Sequence, residues 1–391
     1  MRIILLIFIL SQCLSLLGQQ MRIGVLTDYQ IKQLDIQSAQ GSYDIFGDKS
    51  IVSLLVPGRK VSLSVSGSRV VVHVGGLVSY TVSKVMLVPQ RTNSSLLFSS
   101  RQLNIKKHSY EDALEIFVYK GRLQFVNVVD MNNYISGVVE SEGGGGRHLE
   151  YYKVQALMSR TYALKNKRRH EKEGFELCDR VHCQAYHSKL RYTPKIRQAV
   201  ESTSGEVIID FNGDLVTSYF AANCGGQTCD ASYVWNNSVP YLSTFKDTFC
   251  LQTRQSRWTK RIPKATWSSF LAKKYGVKES TYGALIYNFD QENRKAFYIH
   301  PSLGVPLRDL RKEFKLKSSY FSTKLDGQEV VLSGRGFGHG VGLCQEGAMG
   351  MADLGLDYKQ IALYYFNKIR IINYYESQFF KQKKDVGTGN L

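Results

Sequence analysis

Short runs in which apolar and polar positions alternate fill the chain from residue 21 to about residue 125. Segments 51–55 and 70–74 are examples, and turn residues such as Pro57-Gly58 separate neighbouring runs. A period of two residues places every second side chain on one face of a strand, so the pattern predicts a sheet with one buried face. We therefore expect a β-rich N-terminal module over residues 21–125. Its exposed positions show no catalytic cluster, which favours a scaffolding or surface-contact role.

The pattern changes after this module. Residues 123–139 continue as a strand-like run, and the four glycines at 143–146 then form a flexible break. In residues 149–164 the apolar positions recur with helical spacing, which predicts a long helix with one well-packed side.

The rest of the chain mixes both kinds of pattern. Residues 195–222 return to strand-like runs, and residues 359–366 predict a last helix. We therefore predict an α+β protein, with a larger domain over residues 126–372 and a polar tail over residues 373–391. A doubly wound parallel sheet would contradict this fold class.

The first residues predict the compartment. Met1-Arg2 is a short positive start, an apolar run follows from Ile3 to Leu10, and the residues after it are small and weakly polar. This run is far shorter than the ~20 residues that cross a bilayer, so it favours a secretory signal peptide over residues 1–20 rather than a membrane anchor. We expect an exported protein of the periplasm or cell envelope, with no transmembrane span in the mature chain.

Charge narrows the range of possible partners, and the cysteine content indicates whether disulfides are possible. Lys and Arg total 51 against 33 Asp and Glu, and the net charge of +18 attracts polyanions such as nucleic acid, an anionic membrane or an acidic polysaccharide. Export argues against nucleic acid. Beyond the expected signal peptide the chain has six cysteines, an even number that allows disulfides in an oxidising compartment but does not give their connectivity.

Glu142 is the first candidate for chemistry. It follows the predicted strand 123–139 and precedes the predicted helix, where a carboxylate can act as an acid/base. Lys153 and Arg160 lie seven residues apart and share one face of that helix. A guanidinium among apolar residues is usually paired with a carboxylate. The residues alone therefore favour a structural ion pair between Glu142 and Arg160 over a catalytic role.

The second candidate is the segment 334–342, in which every second residue is glycine. An extended chain with this pattern has one bare face, and its other face presents Arg335, Phe337, His339 and Val341. A bare backbone face lets a bulky ligand approach closely. A tight bend packed on a helix explains the pattern equally well.

The third candidate is a group of metal-binding residue types. Cys178, His182 and Cys183 lie within six residues, and His170 is the nearest further ligand upstream. Two thiols and two imidazoles can hold zinc. A disulfide or free thiols are the alternatives, and the residues alone favour these in an exported protein.

Four motifs in one order connect these segments, and together they resemble the SpoIID/LytB family of peptidoglycan-lytic proteins. The resemblance covers roughly residues 120–370 and extends more weakly into the N-terminal module. The motifs are Gly137-Val138-Val139-Glu140-Ser141-Glu142; Lys153-Val154-Gln155-Ala156 with Ser159-Arg160-Thr161-Tyr162-Ala163; Asn223-Cys224-Gly225-Gly226-Gln227-Thr228 with Val234-Trp235 and Pro240-Tyr241-Leu242; and Gly334-Arg335-Gly336-Phe337-Gly338-His339-Gly340-Val341-Gly342 with Gln345 and Gly347-Ala348.

The resemblance implies a lytic transglycosylase whose catalytic glutamate is Glu142 and not Glu140. It implies a structural zinc at Cys178, His182 and Cys183 and no metal in catalysis, and His170, the nearest upstream candidate, is the expected fourth ligand. Peptidoglycan glycan strands are the implied partner, together with a wall amidase. The implied substrate-binding residues are Lys153, Gln155, Arg160, Tyr162, His339 and Gln345.

This chain departs from the family pattern at two places. Residues 143–148 are glycines followed by Arg147-His148, where the family commonly has Met-Pro and a tryptophan, and Cys344 stands where serine is common. The glycines leave the substrate range open.

Three functions are considered for these residues, two of them enzymatic and one non-catalytic. A lytic transglycosylase needs a single acid/base, whereas a hydrolase that uses water normally needs two carboxylates. Glu140 and Glu142 share one face of the predicted strand, which argues against the hydrolase. A non-catalytic wall-binding protein that enhances an amidase is the alternative from another class, and it has no need of Glu142.

Overall fold

In the computed structural model, which describes residues 19–75, 78–99 and 108–374, strands dominate the first third of the chain and helices and strands mix after it. The fold class is α+β with a β-rich N-terminal region, as predicted. The expected signal peptide, apart from its last two residues, and the tail after residue 374 lie outside the described residues.

The contacts between residues divide the chain into two units that interleave along the sequence. The first comprises Met1–Gly146 and Ala163–Ser204, and the second comprises Arg147–Tyr162 and Gly205–Leu391. The sequence-based division between residues 125 and 126 stays a prediction about domains.

Two antiparallel sheets form the framework of the first unit. One has seven strands in the order β13-β1-β12-β11-β8-β3-β4, with only the β13–β1 pair parallel, and the other has six in the order β10-β9-β2-β5-β6-β7. In β5, Val61 and Leu63 are buried while Ser62 and Ser64 are half-buried, which is the predicted alternation. The strands are β1 (Gln20–Val25), β2 (Gln33–Gln40), β3 (Tyr43–Gly47), β4 (Ser50–Leu55), β5 (Lys60–Ser66), β6 (Arg69–Val74), β7 (Val78–Val82), β8 (Lys84–Pro89), β9 (Ser95–Ser99), β10 (His108–Glu111), β11 (Ala113–Tyr119), β12 (Arg122–Asp130) and β13 (Leu177–Cys178).

Helix α1 (Met131–Gly143) replaces the second half of the strand expected over residues 123–139. The prediction was wrong because Asp130 caps the helix: its side chain accepts hydrogen bonds from the backbone N–H groups of Asn132 and Asn133. The buried residues of α1 recur at helical spacing and pack one face inward. They include Met131, Tyr134, Ile135, Val138 and Val139.

Two further helices follow α1. Helix α2 (Leu149–Asn166) confirms the long helix predicted over residues 149–164, and it begins in the second unit's residues and ends in the first unit's. Helix α3 (Pro194–Ser202) occupies part of the segment expected to be strand-like, with Pro194 at its first turn, where the missing N–H costs nothing. The strand prediction held for β14 (Glu206–Asp210) and for the short β15 (Phe220–Ala221).

The second unit has three small sheets. Strands β16, β18 and β17 form an antiparallel sheet, β14 pairs with β20, and β15 pairs in parallel with β19. The strands are β14 (Glu206–Asp210), β15 (Phe220–Ala221), β16 (Arg257–Pro263), β17 (Phe321–Asp326), β18 (Glu329–Arg335), β19 (Leu343–Cys344) and β20 (Ile369–Asn373). Trp258 and Trp267 belong to a core of aromatic and aliphatic side chains beside the three-stranded sheet.

Most helices of the second unit are short. The last one, α9 (Tyr358–Tyr365), confirms the helix predicted over residues 359–366. Asp357 and Gln360 form a capping box at its start. The helices are α4 (Ser232–Trp235), α5 (Lys264–Tyr275), α6 (Glu279–Tyr282), α7 (Leu307–Glu313), α8 (Gln345–Asp353) and α9 (Tyr358–Tyr365). Within the described residues, every helix is too short or too polar to cross a membrane.

Candidate active site and metal cluster

Glu142 lies in the last turn of α1, not at a strand end as expected. Its Oε1 accepts a hydrogen bond of 3.0 Å from the backbone N–H of Ala185. Burial raises the pKa of Glu142, although the Ala185 hydrogen bond and the charge of His187 act in the opposite direction. A carboxyl group with a raised pKa holds its proton at higher pH than an exposed glutamate, which is what a general acid requires.

Glu140 has a different environment from Glu142. Its Oε2 accepts from the backbone N–H of Arg191, and its Oε1 accepts from those of Tyr192 and Thr193, each at 2.9 Å. Glu140 therefore holds the segment that enters α3. Because residues two apart on a helix point about 200° apart, the argument that Glu140 and Glu142 share a face was wrong. What distinguishes the two carboxyl groups is their contacts: Glu140 accepts three backbone hydrogen bonds from residues 191–193, whereas Glu142 accepts one from Ala185.

The four predicted metal ligands are close together in the first unit. One ligand atom of each of His170, Cys178, His182 and Cys183 lies within 4.8 Å of the others. Cys183 Sγ is 3.4 Å from His170 Nε2 and 3.6 Å from His182 Nδ1, and Cys178 Sγ is 3.8 Å from His182 Nδ1. Ligands about 2.0–2.3 Å from a tetrahedral zinc have separations of this order.

The chemistry of this cluster also suits a metal. A hydrogen bond from the Cys183 thiol lowers the pKa of Cys178, and the same contact raises that of Cys183, so one thiolate of the pair forms more readily than in an isolated cysteine. His170 Nδ1 is 2.5 Å from Glu173 Oε1, which leaves Nε2 as the free ligand atom. Cys178 and Cys183 are free thiols.

The loop between the metal cluster and Glu142 is held tightly. Only one residue separates Cys183 from Ala185, whose N–H reaches Glu142, and the next residue, Tyr186, donates its hydroxyl hydrogen bond to Asn127 Oδ1 at 3.0 Å. A side chain at Gly137 would come within 2.5 Å of the Tyr186 ring, so the glycine lets α1 pack against this loop. Gly137 and Glu142, two residues of the first motif, therefore both contribute to the contact between α1 and this loop.

The other expected substrate contacts belong to the second unit, and several are buried. Arg160 is 1% exposed and donates from Nη1 to the backbone carbonyl of Glu206 at 3.2 Å. Burial lowers its pKa to about 10, and the charge of Glu206 opposes this. The guanidinium therefore contacts the backbone of Glu206, and the expected pairing with Glu142 stays a prediction.

The remaining residues of the α2 motif have mixed environments. Lys153 pairs with Glu150 at 2.7 Å, and Tyr162 is half-buried. Gln155 is fully buried, Gln345 is 8% exposed, and Gln345 Nε2 donates to Gln155 Oε1 at 3.4 Å. This amide pair connects α2 to the start of α8 and is directed into the interior of the unit.

The glycine-rich segment 334–342 is a bend and not an extended chain. Strand β18 ends at Arg335, and Gly336, Gly338, Gly340 and Gly342 all have positive φ angles between 73° and 111°. This conformation favours glycine and explains the alternation. Of the two interpretations of the pattern, the tight bend describes the structure.

His339 lies in this bend beside an aromatic pair. Its Nδ1 accepts a 3.0 Å hydrogen bond from the N–H of Val341, and burial followed by the charges of Arg311 and Arg294 lowers its pKa to about 4. His339 is therefore neutral near pH 7. The rings of Tyr219 and Trp235 stack 4.1 Å apart, and His339 meets Trp235 edge-on at 5.2 Å.

Trp235 was part of a quoted motif but received no role from the sequence. It is 41% exposed, so its indole is available to a ligand while Tyr219 supports its position. An exposed tryptophan braced by a stacked ring is the kind of surface that binds sugar rings. The exposure could not be seen in the sequence, where tryptophan more often predicts core.

These features define an α+β protein with a partly buried glutamate of raised pKa and, 28 to 41 residues further along the chain, a group of cysteine and histidine side chains that could hold a metal. The profile of the stage II sporulation protein family, SpoIID, matches residues 119–209, which contain both features. The chain belongs to the SpoIID family.

Individual relatives agree with this assignment. The chain is 30% identical over 280 residues to stage II sporulation protein D of Bacillus subtilis, covering 66% of this chain and 79% of that one. It is 30% identical over 273 residues to an uncharacterized protein of Brachyspira hyodysenteriae, covering 68% and 73%. The amidase enhancer of Bacillus subtilis is 27% identical over 292 residues, covering 61% of this chain but only 40% of that one.

Proposed function

We propose that this protein is a lytic transglycosylase that cleaves the glycan strands of peptidoglycan outside the cytoplasmic membrane. The observation that carries the proposal is the environment of Glu142, whose pKa is raised by burial and whose Oε1 accepts a hydrogen bond from the Ala185 N–H. Membership of the SpoIID family supports the same choice of residue.

A single carboxyl group suffices for this reaction. Protonated Glu142 donates its proton to the oxygen between N-acetylmuramic acid and N-acetylglucosamine as that bond breaks. The resulting carboxylate then takes the proton of the muramic 6-hydroxyl while this oxygen bonds to the anomeric carbon. The product has a 1,6-anhydro end, no water is consumed, and Glu142 returns to its protonated form.

The metal cluster would stabilise the loop that holds Glu142. His170, Cys178, His182 and Cys183 fit a zinc ion, since their ligand atoms lie within 4.8 Å of one another and Cys178 is readily deprotonated. A four-ligand site of this kind has no open position for substrate, so the ion supplies structure and not catalysis. By ordering the loop that contains Ala185, it keeps the hydrogen bond to Glu142 in place.

Substrate contacts would come mainly from exposed rings and the excess of positive charge. Trp235 offers its face to a sugar ring, and the net charge of +18 attracts the acidic groups of the wall polymer. Of the residues implied by the family resemblance, Lys153 and Tyr162 are accessible enough to take part. The other three, Arg160, Gln155 and Gln345, are buried and support the fold.

A non-catalytic role is the second candidate, favoured by the relative named amidase enhancer. In that case the protein would bind wall glycan and stimulate a wall amidase. A pure binder gains nothing from a shielded acid, so the two functions differ in their dependence on Glu142.

The decisive experiment replaces Glu142 by glutamine. Purified wild-type protein and Glu142→Gln are incubated with intact and with peptide-free wall glycan, and anhydro ends are measured by mass spectrometry. We expect formation of anhydro ends to fall by about 10²-fold or more, the scale of general acid–base catalysis. Stability near pH 4 should hardly change, because Glu142 is then protonated and the glutamine oxygen can still accept the Ala185 hydrogen bond.

The matched control is Glu201→Gln, which neutralises an exposed carboxylate on α3 in the same unit. It should keep the wild-type rate. Anhydro ends produced by Glu142→Gln near the wild-type rate would show that Glu142 is not the acid. If wild type and variant produce none, yet both bind glycan and accelerate an amidase, the enhancer function is correct.

A further inference from the structure

A second group of metal-binding side chains lies in the second unit, where the sequence analysis predicted none. Cys224, Asp247, Cys250 and Cys344 each place one ligand atom within 4.8 Å of the others. All four side chains are buried, with at most 1% exposed. Three cysteines cannot all be joined in pairs among themselves, so the group is not explained as a disulfide framework.

The fold brings these residues together from distant parts of the chain. Cys224 follows β15 and Cys344 ends β19, and the parallel pairing of these two strands aligns Ala221 with Cys344. Asp247 and Cys250 approach from the loop that precedes β16. Cys224 Sγ lies 3.5 Å from Cys250 Sγ and 3.2 Å from Asp247 Oδ2. Ligands of a tetrahedral zinc with Zn–S bonds of about 2.3 Å are roughly 3.8 Å apart, and slightly closer where one ligand is an oxygen.

Backbone N–H groups point at the sulfur atoms, as they do around metal-bound thiolates. Cys344 Sγ accepts from the N–H of Cys224 at 3.2 Å and from that of Gly347 at 3.4 Å, the latter at the N-terminus of α8. N–H donors of this kind stabilise a metal-bound thiolate.

The carboxylate has its own supporting contacts. Asp247 Oδ2 accepts from the Tyr365 hydroxyl at 2.9 Å, and Oδ1 accepts from the N–H of Phe249 at 3.1 Å. A side chain at Gly347 would meet the Tyr365 hydroxyl oxygen at 2.2 Å and Asp247 Oδ2 at 2.8 Å, so only glycine leaves room for this pair.

We propose that Cys224, Asp247, Cys250 and Cys344 bind a second structural zinc ion. Thiolate ligands select a soft divalent metal such as zinc over calcium or magnesium. On binding, the three thiols release their protons, and the ion offsets two of the four negative charges of the ligand set. Four protein ligands in a buried site leave no position for substrate, so the ion is structural.

The ion would close the loop from Cys224 to Cys250, which contains Trp235. Arg294 already fixes one end of this loop by donating to the carbonyls of Cys224 and Gln227 at 2.7 and 2.8 Å. Joining the other end to Cys344 would hold the exposed indole of Trp235 against Tyr219. The proposal concerns metal content and does not depend on the proposed activity.

Zinc content per chain tests the proposal in protein purified from zinc-supplemented cells. Cys250→Ser and Cys344→Ser should each lower the content by one ion per chain. Cys229→Ser replaces a buried cysteine outside the cluster and should leave the content unchanged. The double variant Cys178→Ser/Cys183→Ser should lose only the ion of the first cluster, so failure of that site is distinguished from failure of this one.

A second variant covers the case in which the serine substitutions prevent folding. Asp247→Cys keeps four ligands and should still bind one ion. In the double variant Cys178→Ser/Cys183→Ser, cobalt should give a thiolate-to-cobalt absorption band that becomes stronger when Asp247→Cys is added. An unchanged zinc content in Cys250→Ser, the absence of this band, or a Cys224–Cys250 disulfide in zinc-replete protein would each overturn the proposal.

Discussion

Replacing Glu140 by glutamine tests whether the two glutamates of the first motif have separate roles. The carboxylate of Glu140 accepts three backbone hydrogen bonds of 2.9 Å from residues 191–193, and Thr193 is the residue that precedes α3. Glutamine can keep the bonds at one oxygen. Its NH2 group would face the N–H of Arg191, donor against donor, where Oε2 now accepts.

The magnitude follows from these contacts. Hydrogen bonds to a charged group contribute about 1.5–3 kcal/mol each, and neutral ones about 0.5–1.5 kcal/mol. One bond is lost and two are weakened, but the site is partly exposed to solvent, which reduces the effect. We expect Glu140→Gln to lower the free energy of opening of the 191–193 segment by about 1–3 kcal/mol, with most of the glycan-cleaving activity retained.

Hydrogen exchange of the Arg191, Tyr192 and Thr193 amides measures this directly. Exchange should become faster by about 10-fold for each 1.4 kcal/mol lost, while the formation of anhydro ends stays near the wild-type rate. Glu142→Gln is the opposite case, with activity lost and the three amides still protected. Loss of activity in Glu140→Gln with unchanged exchange would refute the separation and restore a mechanism with two carboxylates.

Three further predictions follow from named contacts. Because burial raises the pKa of Glu142, the stability that protonated Glu142 contributes is fully present below the ordinary glutamate pKa of 4.5 and is lost as the pH rises through the raised value. Denaturation midpoints measured at about pH 4 and about pH 7 should show this loss in wild type and not in Glu142→Gln. Asp130→Ala removes the cap of α1 and should reduce unfolding free energy by about 1 kcal/mol in urea titrations, and an unchanged midpoint would contradict the capping argument. Trp235→Ala should weaken binding of glycan fragments by roughly 10-fold in calorimetry, whereas Phe211→Ala, at another exposed aromatic, should not; equal effects would remove Trp235 from the binding surface.

The sequence determined those features that depend on local pattern. Alternation of period two predicted the N-terminal strands because each is half-buried in a sheet, and helical spacing predicted α2. The close spacing of Cys178, His182 and Cys183 predicted one cluster because few conformations of a six-residue segment separate its side chains widely. His170 lies in the same group of side chains, and its approach depends on the turn that follows α2.

Local pattern was insufficient where two structures explain the same residues. Residues 131–139 include the β-branched Ile135, Val138 and Val139, which are typical of a strand, but the Asp130 cap and the burial of one helical face decided for α1. The alternating glycines of 334–342 satisfy an extended chain as well as a bend. Only the positive φ angles in the folded chain distinguish the two.

Tertiary structure alone decided the features that need distant residues. Burial in the folded chain raises the pKa of Glu142, and the hydrogen bond that its carboxyl group accepts comes from Ala185, more than 40 positions away. Cys224 and Cys344 are 120 positions apart and meet because β15 and β19 pair in parallel. Spacing in a sequence carries no information on such a meeting, since the pairing of the two strands is set by the packing of the whole unit.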